Sequence, residues 1–129
     1  MIVVDTSALV AVVTGEAAGE RCVEVLSKAT TICVSAVSLV EAGIVLESRH
    51  GAIIAGELDL LIQMLGITVV PVDVAHVAMA RQAYRLYGKG RHPAALNVGD
   101  CFSYALARLS VAPLLFVGND FGRTDIEPA

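Results

Sequence analysis

Short apolar runs alternate along this chain with longer segments in which apolar residues recur at helical spacing. The short runs are rich in β-branched residues and predict strands at residues 2–4, 31–34, 67–72 and 114–117, with a possible edge strand at 124–126. The longer segments predict helices at about residues 8–11, 16–29, 35–50, 52–65, 73–87 and 99–110. Strands that are almost wholly apolar and alternate with helices predict an α/β domain, whose central, mostly parallel sheet of four to five short strands is flanked by helices.

Polar residues mark the ends of several predicted elements. Thr6 or Ser7 is expected to cap the first helix, and Asp73 to cap the helix after the third strand. Gly51 is expected to end the helix at about residues 35–50. Residues 88–93, which are rich in glycine and basic residues, are expected to form a flexible loop.

Four acidic residues lie at the end or start of an apolar segment or within an apolar stripe. Asp5 follows the first strand and Asp120 follows the strand at 114–117. Ligands of parallel sheets bind beyond the carboxyl ends of the strands, so these two acids are expected at one edge. Glu41 shares a helical face with apolar residues, and Asp100 lies in the first turn of its helix.

Each of these acids also has a purely structural explanation. Asp5 could cap a helix, Glu41 could form a capping box with Ser38, Asp100 could interact with a helix dipole, and Asp120 could form an Asx turn. Taken singly, these explanations are preferred. Taken together, one acidic cluster explains the four acids better, because an unpaired charge on an apolar face is costly.

A cluster of carboxylates indicates a hard cation. Converging carboxylates repel one another unless a cation neutralises them, and Mg²⁺, with Mn²⁺ as a possible substitute, prefers such oxygen ligands. A water held by the ion beside a phosphodiester can become a nucleophile. A zinc site or a disulfide framework is not indicated, because the cysteines and histidines lack the required spacing; they are Cys22, Cys33, Cys101, His50, His76 and His92.

Size and hydropathy define the class of protein. The chain has 129 residues, enough for one domain, and 56% of them are hydrophobic, which gives a mean hydropathy of +0.71. No apolar run approaches the roughly 18 residues of a membrane span. The first apolar run follows no basic region and meets Asp5 at once, unlike a signal peptide. A cytoplasmic protein without a membrane partner is therefore expected.

Basic residues are concentrated in the second half of an acidic chain. The net charge is −4, yet residues 71–129 hold six bases and five acids. Arg81 and Arg85 could either compensate a helix dipole or bind phosphate, and these two explanations have equal weight. Lys89, Arg91 and His92, in the glycine-rich loop, are better explained by contacts with an RNA backbone. The acidic cluster and these basic residues together suggest hydrolysis of phosphodiester bonds.

Two nucleotide-binding motifs are absent. Gly88-Lys89-Gly90 begins like a dinucleotide fingerprint, but Pro93 replaces the third glycine and no strand precedes the segment. A phosphate-binding loop of the G-x-x-x-x-G-K-[ST] type does not occur. Nucleotide cofactors are therefore not expected.

Several motifs together resemble the PIN-domain ribonucleases and, among them, the VapC toxins of type II toxin–antitoxin pairs. The resembling segments are VVDTSAL at 3–9, SAVSLVE at 35–41, YGKGRHP at 87–93, GDCFSYALA at 99–107, LLFVGNDF at 114–121 and TDI at 124–126. The resemblance covers essentially the whole chain and implies a single PIN-like domain over residues 1–129. Together the motifs are specific, whereas any one of them alone is weak.

The resemblance implies a Mg²⁺-dependent endoribonuclease that is inhibited by a VapB-type antitoxin and is usually a homodimer. It implies catalytic and metal-binding roles for Asp5, Glu41, Asp100 and Asp120, with supporting roles for Thr6, Ser7 and Asn119. Family members often have two adjacent acids where this chain has Asn119 and Asp120, so Asn119 or Asp125 could share the fourth acidic role.

Two other functions remain open at this stage. A catalytically degenerate PIN-fold module that binds RNA or a protein would bind RNA without turnover and would bind no Mg²⁺. A metal-dependent phosphohydrolase for small phosphate esters would cleave nitrophenyl phosphate but not RNA.

Overall fold

Four short parallel strands form the central sheet of the computed structural model, which describes residues 1–129. The strands are β1 (Ile2–Val4), β2 (Ile32–Ser35), β3 (Thr68–Val70) and β4 (Leu114–Leu115), and their order in the sheet is β3-β2-β1-β4. β1 is central, since Val3 pairs with Cys33 on one side and with Leu114 on the other. The predicted parallel sheet is confirmed.

Six helices cover the sheet. They are α1 (Thr6–Thr14), α2 (Ala17–Lys28), α3 (Ala36–His50), α4 (Ala52–Met64), α5 (Val74–Tyr87) and α6 (Val98–Ser110), and a short 3₁₀ turn follows at Phe121–Arg123. One buried cluster joins the sheet to α1–α4, and a second joins it to α5 and α6. Helices on both faces explain why β1, β2 and β4 are largely apolar and buried, whereas β3, at the edge of the sheet, is more exposed. None of these helices has the length and apolar character that would let it cross a membrane.

The C-terminal segment differs from the prediction in two ways. Residues 124–126 are not a strand, because Ile126 N donates to the Thr124 hydroxyl and the backbone turns there. Leu114 instead makes an isolated bridge with Pro128. β4 also ends at Leu115 and does not reach Val117, whose N–H donates to Ser7 Oγ at 3.0 Å. In both places a hydroxyl side chain takes the backbone donor that a sheet would use.

The starts of two helices also differ from the prediction. Asp5 caps α1, because its carboxylate accepts from Ser7 N; Thr6 and Ser7 are the first helical residues. α6 begins at Val98 with Asn97 as its cap, slightly earlier than expected. Asp73 does cap α5, as predicted.

The glycine-rich segment at 88–93 is a loop, as predicted, but it is held at both ends. Lys89 N donates to Leu96 O and Leu96 N donates to Tyr87 O, each at 2.9 Å. Both Arg91 N and His92 N donate to Gly88 O. These backbone hydrogen bonds join the loop to Tyr87, the last residue of α5, and to Leu96; its flexibility stays a prediction.

Candidate active site

Asp5 lies at the carboxyl end of β1, where the chain turns into α1. Its carboxylate is buried and accepts three hydrogen bonds. Oδ2 accepts from Ser7 N at 3.0 Å and from Ser7 Oγ at 2.7 Å, and Oδ1 accepts from Ser103 Oγ at 2.5 Å. Asp5 is therefore held in one orientation by α1 and α6 together.

Two buried serines that the sequence interpretation missed connect this carboxylate to α3. Ser103 Oγ and Ser38 Oγ are 2.8 Å apart, and neither residue is exposed. Thr6 Oγ1 donates to Ser38 O at 2.9 Å. A signal was present, since Ser38 lies one helical turn before Glu41 and Ser103 one turn after Asp100.

Asp100 is buried in the first turn of α6 and forms a capping box with Asn97. Asp100 N donates to Asn97 Oδ1 at 2.8 Å, and Asn97 N donates to Asp100 Oδ2 at 3.0 Å. Burial raises the pKa of Asp100 to about 7, the hydrogen bond from Asn97 opposes this rise, and the charges of Asp5, Asp120 and Glu41 increase it. The four predicted acids thus lie within electrostatic reach of one point.

Glu41 points across a cleft towards the start of α6. It is half-buried, and neither a hydrogen bond nor an ion pair holds its carboxylate. A Cβ at Gly99 would overlap the Glu41 carboxylate, so a side chain at position 99 would displace it. Glycine at position 99 therefore leaves the Glu41 carboxylate in its observed place.

The predicted reason for the placement of Glu41 is wrong. The apolar face that Glu41 shares includes Val40 and Ile44, and each of these is 62% exposed rather than buried. The buried face of α3 instead carries Ser38, Ala42 and Leu46. Glu41 therefore stands at the rim of an outward-facing apolar surface, where water reaches it.

Asp120 occupies the turn after β4 and begins the 3₁₀ turn. Its side chain is exposed and makes no capping hydrogen bond, and neighbouring Asn119 is also exposed. Gly118 before them has φ +103°, a conformation that favours glycine. Asp120 is therefore free to change rotamer while its charge still acts on Asp100.

Asp125 is engaged elsewhere. Its Oδ1 accepts from Tyr104 OH at 2.7 Å, and its Oδ2 lies 3.5 Å from Arg108 Nη1. Burial raises the pKa of Tyr104, and the bond to Asp125 adds to that rise. Asp125 thus fastens the C-terminal segment to α6 and does not contribute to the charge around Asp100.

The cluster offers the carboxylate oxygens that a divalent cation prefers as ligands. The ion pairs of the protein join Glu24 with Lys28, Asp73 with His76, and Asp125 with Arg108, and none of them includes a member of the cluster. No three acidic, histidine or cysteine side chains are arranged closely enough to ligate one ion together. Asp5 is held by its hydrogen bonds, so Glu41 and Asp120, which lack such bonds, are the side chains with freedom to complete a ligand set.

Three of the five predicted RNA-binding residues lie together. Arg81, Arg85 and Lys89 line a groove of about 690 Å³ between α5 and α6. Arg91 lies outside its lining, with Cζ 5.6 Å from the centre of the Tyr84 ring.

His92 is occupied by the loop itself. Its Nδ1 accepts from Ala94 N at 3.0 Å, and its ring meets Tyr87 edge-on at 5.1 Å between centroids. Any contact of His92 with RNA would therefore use its other ring nitrogen.

Comparison with known proteins identifies the family. The family model for the PIN domain matches residues 2–127. The chain belongs to the PIN-domain family. A ribonuclease VapC of Mycolicibacterium smegmatis is 47% identical over 125 residues, which are 97% of each chain. Ribonuclease VapC42 of Mycobacterium tuberculosis is 44% identical over 129 residues, covering 99% of this chain and 98% of that protein. The chain is therefore a VapC-type PIN-domain protein.

A solved structure confirms the fold. The VapC20 toxin of Mycobacterium tuberculosis, described as cleaving the sarcin–ricin loop, superimposes with a TM-score of 0.82 at 20% identity. The match covers 100% of this chain and 98% of that one. At this identity the likeness supports the architecture, whereas the relatives of higher identity support the family.

Proposed function

We propose that this protein is a Mg²⁺-dependent endoribonuclease and the toxin of a VapBC-type toxin–antitoxin pair. The observation that carries this proposal is the uncompensated cluster of four acids at the carboxyl edge of the sheet, where burial and the charges of the other three acids raise the pKa of Asp100. Relatives that are 44–47% identical over nearly the whole chain are named VapC ribonucleases, which supports RNA as the substrate.

The chain's own residues have distinct roles in this proposal. Asp5 and Asp100, with Glu41 and Asp120, would hold Mg²⁺ or Mn²⁺. The bound ion supplies a water of lowered pKa and neutralises charge on the phosphate. Ser7 and Ser103 orient Asp5 through their hydroxyls, and Thr6 supports Ser38 in the same network. Arg81, Arg85, Lys89, Arg91 and His92 would attract the RNA backbone.

Cleavage of labelled RNA tests the nuclease function. The purified protein should cut RNA internally with Mg²⁺ or Mn²⁺ and should stop when EDTA is added. Asp100→Ala should lower the rate at least 100-fold, because a ligand and its charge are lost. Asp59→Ala removes one exposed carboxylate from α4 and serves as the matched control. Cleavage that persists in EDTA and in Asp100→Ala would contradict the proposal.

The toxin role needs a partner and a separate test. Known structures of similar fold include a toxin–antitoxin complex from Klebsiella pneumoniae, with a TM-score of 0.73. Ile53, Leu60 and Met64 on α4 are exposed, so apolar surface is available for an antitoxin or for a second copy in a homodimer. Expression in the cytoplasm should arrest growth, and co-expression of a small protein encoded next to the gene should relieve the arrest. Normal growth during expression of a form with proven nuclease activity would contradict the toxin role.

A degenerate module that binds RNA or a protein is the second candidate. The lack of three side chains arranged to ligate one ion, and Asn119 beside Asp120, favour it. This candidate predicts RNA binding without turnover and no heat of Mg²⁺ binding in calorimetry. Measurable Mg²⁺ binding that is lost in Asp100→Ala would rule it out.

A further inference from the structure

The groove between α5 and α6 combines an apolar floor with a cationic rim. Leu96, Cys101 and Phe102 contribute apolar side chains to it. Three cations at the rim, Arg81, Arg85 and Lys89, are exposed and form no ion pair, and no acidic residue lines the groove. On a protein with net charge −4, the groove is a local concentration of positive charge over an apolar surface.

The groove adjoins the acidic cluster. Asn97 and Val98, at the start of α6, line it, and Asp100 follows two residues after Val98. Val98 also lines the neighbouring cleft that contains Glu41 and Gly99. Because Val98 is 73% exposed, it forms a low ridge between the two. A ligand that reaches the cluster can therefore extend past Val98 into the groove.

The side chains around the groove are held in place. Tyr84 OH donates to Lys89 O at 3.2 Å, and the Arg91 guanidinium covers the Tyr84 ring. Asn97 Oδ1 is used in the capping box, which leaves its amide N–H groups free to donate. A preformed apolar slot with a few directed polar groups is typical of a small planar ligand.

We propose that this groove binds an unpaired nucleobase next to the cleaved phosphodiester, with Phe102 as the stacking surface and the three cations on the flanking phosphates. The inference rests on the proposed nuclease function and deepens it, because a base inside the groove cannot be paired in a duplex. Aromatic side chains bind bases by stacking with little sequence preference, while arginine and lysine bind the phosphates. The enzyme would therefore select unpaired RNA.

Protein occupants fit the groove less well. A second copy related by a two-fold axis through this groove would bring the same cations face to face, which is repulsive. An apolar helix of a partner would cover the floor but leave the three cations without counter-charges. Nucleotides supply both an apolar face and a negative charge at the required places.

Two RNA probes of equal charge separate base binding from phosphate binding. One is a fluorescein-labelled 12-nucleotide RNA of mixed sequence, and the other has the same backbone without its four central bases. Anisotropy titrations in EDTA measure affinity without metal-dependent cleavage. The wild-type protein should bind the complete RNA roughly 5- to 50-fold more tightly, since stacking of a base has an effect of this size.

Variants of the groove should change this preference in different ways. Phe102→Leu keeps an apolar side chain but should reduce the preference for the complete RNA to less than twofold. Phe102→Tyr keeps an aromatic ring and should retain the wild-type preference. Arg81→Gln should weaken both probes equally and lower the salt dependence by about 0.7 in the log–log slope. Arg49→Gln, at the exposed end of α3, is the matched charge control and should change neither value.

Photocrosslinking of wild-type protein to a 5-iodouridine version of the RNA covers the case in which Phe102→Leu does not fold. Crosslinks within residues 98–108 support the proposal, and crosslinks confined to other segments overturn it. Equal wild-type affinity for the two probes would also overturn it, as would a dimer in sedimentation that Phe102→Leu or Arg81→Gln dissociates. These measurements are made in EDTA, so an absence of cleavage with Mg²⁺ would contradict the nuclease function separately.

Discussion

Replacing Asp100 with asparagine should make the metal-free protein more stable while abolishing cleavage. The pKa of Asp100 is raised from 3.8 to about 7 by burial and by three neighbouring acids. At a pH high enough to ionise it, a carboxyl whose pKa is raised this far costs the folded state about 4 kcal/mol. Partial access of solvent to the cluster reduces the recoverable part to about 2 kcal/mol. Asparagine keeps an oxygen that can accept from Asn97 N, so the capping box of α6 is retained.

The pH dependence of this gain follows from the direction of the shift. Below about pH 4, Asp100 is protonated in both the folded and the unfolded state and contributes no difference. Between about pH 4 and pH 7 the folded state binds the proton more tightly, so the stability of the wild type falls as pH rises. Above about pH 7 Asp100 is ionised in the folded state as well, and the full cost of that ionisation is present. The difference between Asp100→Asn and the wild type should therefore be near zero at pH 4 and largest at pH 8.

Urea unfolding followed by circular dichroism at 222 nm, in EDTA, measures this difference. The control is Asp59→Asn, which removes one exposed charge from α4 and should change stability by less than about 0.5 kcal/mol. Added Mg²⁺ should stabilise the wild type but not Asp100→Asn. The reasoning would be refuted if Asp100→Asn were no more stable than the wild type at pH 8, or if Asp59→Asn gained equally.

Three further substitutions test individual contacts. Gly99→Ala should lower RNA cleavage at least tenfold, because the new Cβ displaces the Glu41 carboxylate. Gly43→Ala is the control, since no atom lies within 4 Å of its added Cβ; it should keep activity and raise the free energy of unfolding in urea by about 0.5–1 kcal/mol. Ser103→Ala should cost about 1–3 kcal/mol of stability and reduce the cleavage rate, because two buried polar groups lose their partner; unchanged values for both would contradict the role of the serine. Asp125→Asn should keep the cleavage rate within about twofold, and a loss as large as that of Asp100→Ala would move Asp125 into the site.

The sequence predicted the features that depend on local pattern. Apolar runs and helical periodicity located the sheet and the helices, because strands that lie under helices are largely apolar. The topology rule for parallel sheets placed Asp5 and Asp120 at one edge, and the structure brings their charges close to Asp100.

The features that were missed depend on contacts between distant segments. Ser38 and Ser103 are 65 residues apart in the chain, and the spacing of each serine from the acid in its own helix does not show that the two hydroxyls meet. The true length of β4 depends on Ser7, 110 residues before Val117. Periodicity within a window of residues has no access to such pairs.

The hydroxyl of Ser7 gives the hydrogen-bond network around Asp5 a direction. Val117 N–H can only donate, so Ser7 Oγ accepts there and its own proton is directed to Asp5. Ser103 likewise directs its proton to Asp5, which leaves Ser38 to donate to Ser103. The hydroxyl protons of Ser7 and Ser103 therefore both point towards the Asp5 carboxylate, and the hydroxyl proton of Ser38 points towards Ser103. The backbone amide of Val117, two residues beyond β4, thus helps to direct the Ser7 hydroxyl towards the carboxylate at the end of β1.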